Sequence, residues 1–110
     1  MAELASLTTL HAEIKSFGGR VFELTRAIES DAARAARRAT ADASRALSRT
    51  IVEADDRRAV RALELTFKAL SDAVRALDAI AAACASVDAS ALAAEGAGLC
   101  DAAYDRIARA

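Results

Sequence analysis

Residues 60–84 read VRALELTFKALSDAVRALDAIAAAC, with apolar positions at Val60, Leu63, Phe67, Leu70, Val74, Leu77, Ala81 and Cys84. Steps that alternate between three and four residues line one stripe of an α-helix, whereas a strand would need a period of two. Arg61, Glu64, Lys68, Asp72 and Arg75 take the other side, and Glu64 precedes Lys68 by four, the order that favours a helical ion pair. The acidic pair Asp55 and Asp56 marks the start of this helix. With no glycine or proline there, the alternative is one long helix continuing from upstream.

The same stepping recurs near the N-terminus at Leu7, Leu10, Ile14, Phe17, Val21, Leu24 and Ile28. The register survives the pair Gly18 and Gly19, which costs a helix interior about 2 kcal/mol relative to alanine. The spacing therefore predicts one helix from Ala2 to Glu29, thinned or bent at the glycines, with a break there as the alternative. Beyond Ile28 the heptad positions become Asp31, Ala35 and Arg38, so a new element begins, with Ser30 as its N-cap and Asp31 as its first-turn acid. This second helix presents Ala32, Ala36, Ala39, Ala43, Ala46, Leu47, Thr50 and Ala54 on one face. Arg34, Arg38, Arg45 and Arg49 fall opposite, within about 60° of one another at 100° per residue. Past Cys84 the pattern weakens, Gly96 and Gly98 mark a loop, and Leu99 to Ala110 reads as a short amphipathic helix.

Composition supports the same class. The chain has 110 residues, no proline and four glycines, too little turn chemistry for a sheet-rich fold. Alanine accounts for 32 residues, so the 55% hydrophobic content overstates the core. The expected architecture is a single all-α domain over residues 1–110, an antiparallel helical bundle of three long helices plus a short C-terminal helix with coiled-coil-like seams. An extended hairpin that completes its core only in a dimer is the alternative.

Several functions are disfavoured by the residues themselves. No uncharged run exceeds that from Ala79 to Val87, far short of the roughly 20 residues that span a bilayer. The first residues lack the basic and apolar blocks of a secretory leader, which makes the cytoplasm the default location and leaves leaderless export open. The net charge of −1 gives the whole chain no pull towards nucleic acid. His11 is the single histidine, and His11, Cys84 and Cys100 stand at no metal-binding spacing, so no metal, cofactor or catalytic residue is expected. The two cysteines, Cys84 and Cys100, read as small buried apolar residues of a reduced protein, with an intrachain disulfide or an oxidised dimer as the alternative.

The segment from His11 through Lys15 to Gly18 and Gly19 resembles the histidine phosphotransfer bundles, in which a helical histidine precedes a lysine and a glycine. That resemblance implies phosphorylation of His11. The chain departs from the pattern in having lysine four residues on rather than three, with no glycine directly after it. Length and helix content are also similar to the small hairpins exported by ESX-type systems, but their Trp-x-Gly turn is absent and Ala108 stands where an acid would follow Tyr104. The family is not carried over.

A non-enzymatic interaction module is the expected function: an oligomerising scaffold, adaptor or small export-chaperone-like protein, with a second copy in a dimer or another helical protein as partner. Leu7, Ile14, Phe17, Val21, Leu24, Val60, Leu63, Phe67, Leu70, Val74 and Leu77 are the expected anchors, undivided between core and interface. The alternative is nucleic-acid or anionic-surface binding through Arg34, Arg37, Arg38, Arg45 and Arg49. Residues 31–61 hold eight arginines against five acids. Asp31 and Asp42 share the stripe, however, which favours a salt-bridge ladder on a solvated face.

Overall fold

The computed structural model describes residues 2–53 and 56–109, with side chains over 7–51 and 59–108. The regular elements among them are four helices: α1 (Ala2–Thr25), α2 (Asp31–Glu53), α3 (Asp56–Cys84) and α4 (Val87–Arg109). The all-helical class expected from the stepping is what the chain adopts.

Helix α1 passes through Gly18 and Gly19 unbroken and stops at Thr25, four residues before the sequence-based end at Glu29. The chain turns there because other donors take the last carbonyls. Ile28 N–H and Arg37 Nη1 both donate to Thr25 O, at 3.0 and 2.8 Å. Helix α2 opens as expected: Ser30 Oγ accepts from Ala33 N–H at 3.1 Å, and Asp31 lies in the positive first turn. Helices α2 and α3 pack side by side, so the chain reverses between them rather than continuing as one rod. The intervening Ala54 and Asp55, the former assigned to the α2 face and the latter to the α3 start, lie outside the described residues.

The last helix differs most from the sequence-based expectation. It is not a short element from Leu99 to Ala110 but the 23-residue α4, and Gly96 and Gly98 lie inside it rather than in a loop. The turn falls earlier, at Ala85 and Ser86. Ala85 takes the left-handed conformation with φ 50°, and Ser86 N–H donates to Ala81 O at 3.2 Å, closing the α3 terminus. Ser86 Oγ then accepts from Ala89 N–H at 3.1 Å and caps α4. Gly96 is there for close approach: a Cβ would lie 2.9 Å from Phe17 Cζ and 2.9 Å from Val74 Cγ2.

Helix α1 packs on α2 and α4, and α3 packs on the same two. His11 meets Ser44 while Thr25 meets Arg37, so later residues of α1 face earlier residues of α2. The molecule measures 43 × 21 × 17 Å, two helices by two in cross-section. Its radius of gyration is 13.8 Å, close to the roughly 13 Å expected of a compact domain this long.

Both leucine-bearing seams turn inward. Leu10, Ile14, Phe17 and Val21 of α1 and Leu70 and Leu77 of α3 have no exposed surface. Between them α2 contributes Ala33, Ala36, Ala39, Ala43 and Leu47, and α4 contributes Ala89, Leu92, Ala93, Leu99 and Ala103. The core therefore closes within one chain, which overturns the hairpin that would need a second copy to complete it. Buried hydroxyls are satisfied locally: Thr25, Thr40 and Thr66 each donate to the carbonyl four residues back, at 2.7, 3.1 and 2.7 Å. Among the described residues no helix is long and apolar enough to cross a membrane.

Candidate functional site

The eleven expected anchors divide cleanly by burial. Leu7, Ile14, Phe17, Val21, Leu63, Leu70 and Leu77 are buried, and Leu24, Val60, Phe67 and Val74 are half-buried. The large apolar side chains that do face outward are others: Phe22, Leu65, Val87 and Tyr104. The seam reading passes over Leu65 and Phe22, whose one signal in the sequence is that they are apolar residues off their seams, beside Glu64 and Val21.

The arginine stripe divides as well. Arg34 pairs with Asp31 at 2.5 Å and Arg45 with Asp42 at 3.5 Å, both within α2, as the ladder reading requires. Arg37 leaves the stripe to bond the α1 terminus. Among the described residues, Arg38 and Arg49 meet no carboxylate.

A groove of about 650 Å³ runs between α2 and α3. Ala46, Ala62 and Ala69 give it a shallow lining, and Leu65 stands in it 45% exposed. Arg45 and Arg49 from α2 and Arg61 and Lys68 from α3 supply four cations against the carboxylates of Asp42 and Asp72. Arg61 reaches Glu64 on its own helix at 3.8 Å, while Lys68, like Arg49, meets no carboxylate among the described residues. Alanine packing produces this groove, because small side chains leave the flanking long ones standing above it.

A second constellation joins α1 to α2. His11 Nε2 lies 3.2 Å from Ser44 Oγ, giving a serine the base neighbour that sequence spacing did not suggest, since 33 residues separate the two. Both residues lie in helix interiors, where backbone N–H groups are already bonded, so no backbone donors converge to stabilise an oxyanion. No described carboxylate bonds the imidazole. The pair joins the two helices at mid-length.

The cysteines part company. Cys100 is buried, with Sγ 3.7 Å from Ser71 Oγ, and burial pushes its thiol pKa up from 9.0. Cys84, expected to be buried, is exposed because α3 ends there and the chain turns away. Among the described residues no three histidine, cysteine or acidic side chains gather in a metal-sized cluster.

No protein family, curated protein or solved structure matches the chain.

Proposed function

We propose that the chain is a non-enzymatic helical interaction module, an antiparallel four-helix bundle with coiled-coil-like seams that associates with a second copy of itself. The observation that carries this reading is that outward apolar residues stand beside charges that meet no opposite charge among the described residues, on a molecule whose core is already closed. Leu65 lies in the groove that also holds Arg49 and Lys68, and Tyr104 stands between Asp101 and Asp105 on α4. Isolated apolar residues on a surface need no explanation. An apolar residue framed by charges without partners has the composition of a contact surface, with an anchor inside a polar rim.

Such a module works in the cytoplasm as a scaffold or adaptor. Its association joins finished units, so it changes mass without changing helix content. Light scattering across a dilution series tests the reading. A mass that rises from one chain towards two with concentration supports it. A single-chain mass at every concentration contradicts it.

A further inference from the structure

The α2/α3 groove and the outer face of α4 carry opposite charge. In the groove Arg49 and Lys68 meet no carboxylate among the described residues, and the pairs Arg45–Asp42 and Arg61–Glu64 are loose at 3.5 and 3.8 Å. Exposed pairs of that kind contribute little and exchange partners readily. On α4, Asp101, Tyr104 and Asp105 follow at spacings of three and four, which sets an acid, a ring and an acid on one exposed turn. Neither carboxylate meets a cation among the described residues. Tyr104 is 59% exposed, and its ring is steadied by Phe67, with centroids 6.1 Å apart. A ring already held by a neighbour loses less freedom on binding.

We propose that the α2/α3 groove of one copy receives the Asp101–Tyr104–Asp105 turn of a second copy, and that the contact is reciprocal about a two-fold axis. This rests on the interaction-module reading and names its surfaces. Tyr104 lies over the alanine lining against Leu65, and the two carboxylates reach Arg49 and Lys68. Asp42 and Asp72 line the same groove and interrupt its positive charge, so it offers two separate cations rather than the continuous basic track that a phosphate backbone uses. A two-carboxylate knob carrying a phenol that donates a hydrogen bond is accommodated better. The reciprocal arrangement uses each groove and each knob once and closes as a dimer, whereas a head-to-tail one would leave an open chain.

Charge exchange tests it. Arg49→Glu with Lys68→Glu makes the groove acidic, and Asp101→Lys with Asp105→Lys makes the knob basic. Each double variant alone is expected to dimerise at least about tenfold more weakly than the parent. An equimolar mixture of the two is expected to recover a dimer containing one chain of each, since both of its contacts are again attractive. Recovery also requires both variants to be folded. If circular dichroism shows that either has lost helix, Arg49→Gln with Lys68→Gln replaces the first and Asp101→Asn with Asp105→Asn the second, each expected to weaken dimerisation and to gain salt insensitivity. A dimer indifferent to all these changes, or folded reversed variants whose mixture stays monomeric, overturns the groove assignment and leaves the interaction module standing. A parent chain that never dimerises overturns both. Salt-sensitive retention of a generic DNA duplex by a monomeric parent, lost with Arg49→Glu and Lys68→Glu, assigns the groove to nucleic acid and also overturns the proposal.

Discussion

Gly96 and Gly98 stand two residues apart in one helix and predict opposite outcomes. At Gly96 an added methyl meets the Phe17 ring and Val74 at 2.9 Å, both in or against the core, while at Gly98 nothing lies within 4 Å. Gly98→Ala should therefore gain the helix-propensity difference of about 1 kcal/mol, and Gly96→Ala should lose about 1–3 kcal/mol to overpacking despite the same gain. Urea midpoints of the two variants against the parent measure both. Cys100 gives a pH prediction. Its folded pKa is raised, so the native state holds the thiol proton more tightly than the unfolded chain does. Stability should thus be unaffected by this group below the ordinary thiol pKa and fall as pH rises through and above it, a decline that Cys100→Ala removes. Glycine identity in the sequence could not separate packing from turning, because the contact that needs Gly96 comes from Phe17, 79 residues away.

At the scale of elements, the seams were legible and the ends less so. Alternating steps of three and four located α1 and α3 because each buries one continuous stripe of leucine, valine and phenylalanine. The start of α2 was legible because Ser30 and Asp31 act locally. The break between α3 and α4 was not, since Ala85 supplies the left-handed residue that glycine usually provides and leaves no mark in the sequence. Replacing it tests that account: Ala85→Gly should stabilise by about 1 kcal/mol by relieving the left-handed strain, and Ser86→Ala should cost about 1 kcal/mol by removing the α4 cap. Thermal unfolding monitored at the helical band gives both. Had the turn lain at Gly96 and Gly98, neither substitution would have its effect.

For the whole molecule, alanine decides the shape. Helices packed through alanine approach closely, and leucines, isoleucine, valine and phenylalanine from the two seams fill the space enclosed by all four. What the sequence could not divide was core from surface among its apolar residues, because that depends on which helix lies opposite. The stripe of arginines was equally ambiguous until the intrahelical partners of Arg34 and Arg45, and the diversion of Arg37, separated the engaged side chains from Arg49. Because the core is closed, dissociation of a dimer held by the groove should leave each chain folded and should respond to ionic strength. Sedimentation equilibrium at low and high salt, with helicity recorded on the same samples, is the most direct test. A mass approaching twice the 11.4 kDa chain is expected at low salt, falling towards one chain at high salt with helix content unchanged. A single-chain mass at both salts, or a dimer that loses helix as it dissociates, would contradict it.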